Sequence, residues 1–339
     1  MKKTLFAVLA LAAVAACNKA EVVEQSAANA IAFDNAFVDN AVKSVSDPSF
    51  TNDKLFSDFA VFGFVEGASL FDNVTVNKSI TNTDLKSAWK YEGTQYWIAG
   101  AQYNFSAVAP KTSGNWTKTT ATPEATTLAF TNNGTTDLLY ATAAQEGKVS
   151  GNTAVSFSFR HVLSKVKFSF ENGYNATNAT IKVKDIVITN PHKTANVVLT
   201  DATAWNTQAT ADGFTLAFGM ATDDESTKDV KENAEVAYAF GKVYESQNEL
   251  FLIPSAEYSY NVSFKVELLV SDKKVAEYTH SVAAKFAPAP GTCYDIKAVI
   301  NAQNIDPNHA QEPIEFTVAT LPGWGTASDV NATVNNNKN

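Results

Sequence analysis

Apolar and polar residues alternate with a period of two along most of the chain, and this pattern constrains the fold more than any other feature. In "FAVFGFV" (59–65) it places Phe59, Val61 and Val65 on one face and Phe62 and Phe64 on the other. Similar runs rich in Val, Thr, Tyr and Phe follow at 95–110, 155–159, 179–189, 214–220, 258–270, 273–282, 293–300 and 314–320. Residues two apart share one face of a strand, and the Asn, Asp, Gly and Pro between the runs mark turns. The sequence therefore predicts an all-β fold of β-sandwiches, with local helix only at 53–59 and 81–90.

The stretch "VSFSFRHVLSKVKFSF" (155–170) contains a change of phase. Its apolar residues occupy odd positions as far as Phe159 and even positions from Val166 onwards. Because a shift of one residue inverts every side chain, the strand must bulge, turn or end between these points. We expect a domain boundary here, with an N-terminal β-sandwich at 30–160, a C-terminal β-sandwich at 161–305 and a tail at 306–339. A chain of this length can bury the cores of two such domains.

The N-terminus has the features of an export signal. Two lysines precede an apolar run at 4–16 that is too short to span a bilayer. The run ends in "VAAC", where small residues precede Cys17, as in the lipobox of bacterial lipoproteins. We predict a lipoprotein signal peptide at 1–16, lipidation of Cys17 and a tether at 17–29, which would anchor the protein in the outer membrane by its acyl chains. The alternative is an ordinary signal peptide with a chance cysteine.

Composition excludes several classes of function. The chain has 35 acidic and 26 basic residues, a balance that argues against binding nucleic acid. Lipidation of Cys17 would leave Cys293 without a disulfide partner, and we interpret Cys293 as a small buried apolar residue. The four histidines lack metal-ligand spacing, and the chain has no phosphate-binding glycine loop, nucleophile elbow or zinc-binding pair. We therefore predict a protein that is not an enzyme and has no cofactor or metal.

Three groups of residues suggest sites, and each has a simpler interpretation. His161, beside the sole arginine Arg160, is expected to be a boundary residue that hydrogen-bonds the link between the domains. "TDDESTKD" (222–229) lacks the alternating oxygen ligands and turn glycine of a calcium loop, so we interpret it as a solvated acidic loop.

A set of aromatic residues gives the alternative function, a surface lipoprotein that binds glycans through exposed rings. On alternating strands such residues more often fill a core or pair across strands. The set comprises Trp89, Tyr91, Tyr96, Trp97, Tyr103 and Phe105.

The junction "FRHVLSKVKFSF" resembles the F-x-H-x-L-S-K-V junction of fimbrillins, the pilin subunits of lipoprotein-derived fimbriae in oral and gut Gram-negative anaerobes of the Bacteroides type. The lipobox and the segments "IAFDNAFVDNAVKS", "FAVFGFV", "YWIAGAQYNFSAVAP", "DIVITN" and "PGTCYDIKAVI" follow the same order, so that the resemblance extends from about Ile31 to Trp324. It implies two transthyretin-like β-sandwiches and a pilin of a cell-surface fimbrium that serves adhesion. Its partners would then be other fimbrial subunits, the membrane through the lipid anchor, and a ligand on a host or bacterial surface.

The tail carries a candidate donor strand at 311–324. Ile314, Phe316 and Val318 alternate with polar or small residues, so one face of the strand is apolar. Such a strand could be donated to another subunit, with main-chain hydrogen bonds giving affinity and alternate side chains filling pockets. The equally weighted alternative is that it closes its own sandwich.

The resemblance also implies a strand that is displaced. In fimbrillins an N-terminal strand is removed by proteolysis and a neighbour's strand takes its groove; the corresponding residues here are Ile31, Phe33 and Phe37. The best-known members are cut by an arginine-specific protease, but this chain has no arginine before Arg160. Lys43 is the nearest basic alternative after the strand, so either a different protease acts or the subunit keeps its lipid and serves as an anchor or accessory.

Overall fold

A computed structural model of the chain describes residues 29–38, 56–78, 89–200, 202–207, 213–218, 239–246, 248–306 and 312–321. These residues form twenty strands and one short helix, which confirms the prediction of an all-β fold. The strands are β1 Phe33–Val38, β2 Asp58–Val65, β3 Ala68–Lys78, β4 Trp89–Tyr91, β5 Gln102–Ala109, β6 Trp116–Ala121, β7 Thr126–Thr131, β8 Leu139–Glu146, β9 Val155–His161, β10 Ser164–Asn172, β11 Ala179–Ile188, β12 Thr194–Leu199, β13 Ala204–Thr207, β14 Leu216–Phe218, β15 Val243–Glu245, β16 Leu250–Leu252, β17 Tyr258–Val270, β18 Lys273–Phe286, β19 Cys293–Ile300 and β20 Thr317–Leu321; the helix is α1 Ala302–Ile305.

Seven strands make a closed sheet in the order β1-β4-β3-β2-β5-β8-β9. Neighbouring strands are antiparallel except β1 and β9, which run parallel. Inward residues of this sheet, such as Phe59 and Val61, fill one apolar core, whereas Phe62 and Phe64 on its outer face belong to another. The two-faced pattern of "FAVFGFV" thus arises because both faces of β2 are buried.

Two further sheets form a sandwich around a third core. One contains β15, β10, β19 and β20, with β16 also paired to β10, and the other has the order β14-β11-β17-β18. The strands predicted at 258–270 and 273–282 form a hairpin, with β17 and β18 joined by Ser271 and Asp272 alone. Both residues have positive φ, 50° and 60°, which is the backbone of a type I′ turn.

The change of phase at 155–170 coincides with a break between strands. β9 ends at His161 in the closed sheet, and β10 begins at Ser164 in the sandwich. Phe159 therefore faces the core of the closed sheet, and Val166 faces the core of the sandwich. Val162 and Leu163, the two residues between the strands, are buried in the core on the outer face of the closed sheet.

A fourth sheet, in the order β13-β12-β7-β6, takes strands from both sides of residue 160. Six residue pairs join β7 to β12, from Thr131↔Thr194 to Thr126↔Leu199. The division into units at 30–160 and 161–305 stays a prediction. It did not foresee this shared sheet, in which β6 and β7 precede residue 160 and β12 and β13 follow it.

The described residues of the two segments predicted to be helical include strand and no helix. Asp58 and Phe59 begin β2, and Trp89 begins β4, where it pairs with Phe33 and Lys78. Cross-strand pairing thus overrides the helical pattern at Trp89.

Candidate functional site

The first strand, β1, completes the ring of strands that forms the closed sheet. β1 lies between β9, to which it is parallel, and β4, to which it is antiparallel. Phe33 pairs with both Val155 and Trp89, and Asp34 pairs with Ser156. Without β1, the facing edges of β9 and β4 would be unpaired.

The residues just before β1 are bound by main-chain hydrogen bonds. The Ile31 N–H donates to the Gln95 carbonyl at 2.8 Å, and the Trp97 N–H donates to the Asn29 carbonyl at 3.1 Å. The Val155 N–H donates to the Ala32 carbonyl at 2.8 Å. Residues 29–32 are therefore attached to neighbours on both sides.

Tyr91 adds a side-chain bond to this segment. Its hydroxyl donates to the Ile31 carbonyl at 2.8 Å and accepts from the Gln95 N–H at 3.2 Å. Burial raises the pKa of Tyr91, so the hydroxyl remains a neutral donor at physiological pH.

Phe33 is the centre of an aromatic cluster in the core of the closed sheet. The side chains of Phe33 and Ile31 are both only 2% exposed. Five rings from five different strands have centroids 5.4–6.4 Å from the Phe33 centroid; they belong to Phe59, Phe71, Tyr91, Phe105 and Phe157. We call the space occupied by residues 30–34 the β1 slot. It is an apolar groove whose walls carry main-chain donors and acceptors.

The tail strand lies at the edge of the sandwich. β20 is antiparallel to β19, with five residue pairs from Lys297↔Thr317 to Cys293↔Leu321. Among the described residues β19 is its one pairing partner. Before the strand, the Glu312 N–H donates to the Gln303 carbonyl at 2.8 Å, and the Asn304 side-chain amide donates to the Glu312 carbonyl at 3.1 Å.

The predicted apolar face of the tail packs against the sandwich of its own chain. Ile314 is buried in the sandwich core, and Phe316 and Val318 are partly buried against it. The Phe316 centroid lies 5.8–6.2 Å from those of Phe168, Phe170 and Phe264. A groove of about 880 Å³ runs beside tail residues 312–319, next to the ends of β10 and β19. The alternative in which the tail closes its own sandwich therefore describes this monomer; donation to another copy stays a prediction.

Several predicted site residues lie outside the described part of the chain. They include Cys17, Lys43, the acidic loop at 222–229 and the tail after residue 321. The backbone of Phe37 is described, and it pairs with Ser158 of β9 across an irregularity in β1.

His161 and Cys293 have structural surroundings. The His161 Nδ1 atom contacts the Asp137 carboxylate. Arg160 donates to the Thr200 carbonyl. Cys293 is buried and free, and desolvation raises its pKa to about 11, so its thiol is expected to be unreactive.

The aromatic set of the glycan-binding alternative does not form an exposed row. Trp97, Tyr103 and Phe105 are buried in the core of the closed sheet. Trp89, Tyr91 and Tyr96 are partly buried, and the first two pack against that core. Tyr91 and Phe105 of this set line the β1 slot, which was not predicted, although such aromatics were expected more often to fill a core or pair across strands.

Two features are absent from the described ranges. No group of three or more His, Cys, Asp or Glu side chains there could hold a metal ion. No helix in that part of the chain has the length and apolar character needed to cross a membrane.

Comparison with known proteins gives one family. A family model described as fimbrillin-like matches residues 44–320. No match was found among curated proteins.

Solved structures similar to this chain include two candidate cell adhesion proteins and one candidate adhesin. The first, from Bacteroides uniformis, has 15% identity and a TM-score of 0.48, and the alignment covers 88% of this chain and 99% of that one. The second, from Bacteroides ovatus, has 15% identity and a TM-score of 0.45, with 87% and 96% covered. The adhesin, from Bacteroides thetaiotaomicron, has 11% identity and a TM-score of 0.40, with 88% and 99% covered. At these scores the three structures carry no inference about function.

Proposed function

Because the chain belongs to the fimbrillin-like family, we propose that it is a structural pilin subunit of a cell-surface fimbria, exported as a lipoprotein and assembled by strand exchange. Family membership itself indicates a non-enzymatic adhesion protein of the fimbrial type at the cell surface. The lipid anchor, the exchange of strands and a role as a subunit that polymerises are the further steps of the proposal.

The observation that carries the proposal is the position of β1. This strand is the first described element of the chain, yet Phe33 contacts rings from five other strands of the closed sheet. Loss of β1 would expose these rings and unpair the edges of β9 and β4. Burial of each large apolar side chain is worth roughly 1.5–3 kcal/mol, so an emptied slot favours the binding of another apolar strand.

The connection between β1 and β2 supports a processing step. Lys43 lies in sequence between Val38, the last residue of β1, and Asp58, the first of β2. A cut at Lys43 would leave β1 held only by non-covalent contacts. Release of β1 would then also release the lipid at Cys17 from the rest of the subunit.

The tail supplies a strand with the required character. Within the described ranges β20 pairs with a single neighbour, β19, and it is the last described element. The inward side chains of the tail, Ile314 and Phe316 just before β20 and Val318 within it, can fill pockets while the main chain pairs with a strand edge. A strand bound along one edge can leave its sheet by breaking a single ladder of hydrogen bonds.

Two variants expressed in a fimbriated host test the proposal. Lys43→Gln should retain β1, and Phe316→Asp should place a charge in an apolar groove, where its desolvation cost exceeds the remaining contacts. We expect both proteins to be exported and to yield no heat-resistant ladder on gels. Glu315→Gln, an exposed neighbour in the tail, is the matched control and should polymerise normally.

Interpretation of the gels requires that the folding and the N-terminus of each variant protein are known. Circular dichroism of the purified monomers should show an unchanged β-spectrum, and mass spectrometry of the N-terminus should show whether residues before 44 are present. A normal ladder from Phe316→Asp would refute the donor role of the tail. A normal ladder from Lys43→Gln with β1 still attached would refute the processing step.

A further inference from the structure

We propose that the tail of one copy enters the β1 slot of a second copy in a fixed register, with Ile314 in place of Ile31 and Phe316 in place of Phe33. The strand then runs parallel to β9, as β1 does. This inference rests on the proposed strand exchange, and it names the partner as a second copy of the same chain and identifies the pockets that are used.

The two segments share a sequence pattern. Residues 31–33 are Ile-Ala-Phe, and residues 314–316 are Ile-Glu-Phe. Ile31 and Phe33 are buried, and the residue between them, Ala32, is exposed. Ile314 is likewise buried, Phe316 is partly buried, and Glu315 between them is exposed. In the proposed register the Glu315 carboxylate replaces the Ala32 side chain and therefore stays in water.

Proline in the tail selects the same register. Pro313 would take the position of Ala30, which faces Tyr96 across an isolated antiparallel bridge. The hydrogen bonds of that bridge come from the flanking residues: the Ile31 N–H donates to Gln95, and the Asn29 carbonyl accepts from Trp97. Ala30 thus belongs to a non-hydrogen-bonded pair, and its own N–H is not used in the bridge. A proline at this position loses no hydrogen bond of the bridge.

The main-chain bonds of the slot can be reproduced in this register. The Ile314 N–H replaces that of Ile31 as donor to Gln95, and the Glu312 carbonyl replaces that of Asn29 as acceptor from Trp97. Beyond the proline, the Glu315 carbonyl takes the place of the Ala32 carbonyl, which accepts from the Val155 N–H.

The aromatic side chain gains burial by the exchange. Phe316 is partly buried in its own sandwich, with three ring neighbours. The Phe33 position is 2% exposed and has five. A phenylalanine that moves from the first site to the second leaves water almost completely, and this difference favours the intermolecular site once β1 has been removed.

Cysteine pairs test the register directly. Since Asp34 pairs with Ser156, the register places Thr317 opposite Ser156, and both residues are exposed. We propose to co-express Ser156→Cys and Thr317→Cys as separate single variants, so that any disulfide between them joins two copies. Buried Cys293 should not compete. Fimbriae would be sheared from the cells, oxidised and analysed by non-reducing gels and peptide mass spectrometry.

Two further pairs provide the comparison. Ser158→Cys with Thr317→Cys is two residues out of register, a shift of about 6.6 Å along the strand, which exceeds the reach of a relaxed disulfide. Lys297→Cys co-expressed with Thr317→Cys reports a tail that occupies the β20 position of a second copy, because these two residues pair there.

The proposal expects the 156–317 disulfide to be at least tenfold more abundant than the 158–317 disulfide in polymers. A polymer in which 158–317 or an intermolecular 297–317 disulfide predominates overturns the register but leaves strand exchange standing. If the wild-type chain forms no polymer, the proposed function fails, and this inference fails with it.

Discussion

Truncation of Phe33 to alanine should destabilise the closed sheet strongly. The Phe33 side chain is 2% exposed, and its five ring neighbours come from β2, β3, β4, β5 and β9. Replacement of a buried Phe by Ala costs about 3–5 kcal/mol, from lost transfer free energy and from the cavity that remains. We expect the upper part of this range, because rings held by five separate strands cannot easily collapse into the cavity. The loss is a large fraction of the 5–15 kcal/mol that stabilises a typical protein.

Urea unfolding of the intact chain, followed by tryptophan fluorescence, would measure this loss. Trp97 belongs to the same core and Trp89 packs against it, so their emission reports on the closed sheet. Ala32→Ser is the matched control, because the Ala32 side chain is exposed and the change should stay within about 0.5 kcal/mol. A loss below about 1 kcal/mol for Phe33→Ala would refute the view that β1 completes the core.

Three other changes have defined outcomes. Cys17→Ala should abolish acylation and release the protein from the membrane fraction; unchanged labelling with a radioactive fatty acid would contradict the lipoprotein assignment. Ser271→Asn combined with Asp272→Gly should stabilise the β17–β18 hairpin by about 0.5–1 kcal/mol, since both positions have positive φ and this pair favours the type I′ turn; an unchanged or lower urea midpoint would argue against it. The hydrogen bond from Lys274 lowers the pKa of Glu277 from 4.5 to about 2, so the ionised carboxylate adds stability above about pH 4.5 that is lost as the pH falls toward 2. Glu277→Gln should therefore lose less of its urea midpoint between pH 6 and pH 3 than the wild type does, and equal losses would refute the assignment.

Local patterns in the sequence predicted about half of the strands and one of the breaks between them. The period of two identified β2, β17 and β18, because residues on alternate faces meet different surroundings. The phase change between Phe159 and Val166 predicted the end of β9 for the same reason. In these cases the information lies within about fifteen residues of chain.

Pairing between distant segments could not be predicted in the same way. The register of β7 with β12 joins segments more than sixty residues apart, and both carry an ordinary alternating pattern. The parallel pairing of β1 with β9 was not predicted either, since the alternation of Ile31 and Phe33 specifies an apolar face but no partner strand. The tail pattern likewise fits either its own sandwich or another copy, and it specifies only the face formed by Ile314, Phe316 and Val318.

The shared sheet gives the fold a defined response to tension. Where the chain passes from β9 to β10, only Val162 and Leu163 connect the two strands, and a covalent link alone would let the segments on either side separate under load. The ladder between β7 and β12, from Thr131↔Thr194 to Thr126↔Leu199, bridges the same segments a second time. A force directed along these strands would load all six residue pairs of the ladder at once, so that their hydrogen bonds would have to break together. Separating the segments before and after residue 160 would therefore require breaking the six-pair ladder between β7 and β12 as well as extending the link at Val162 and Leu163.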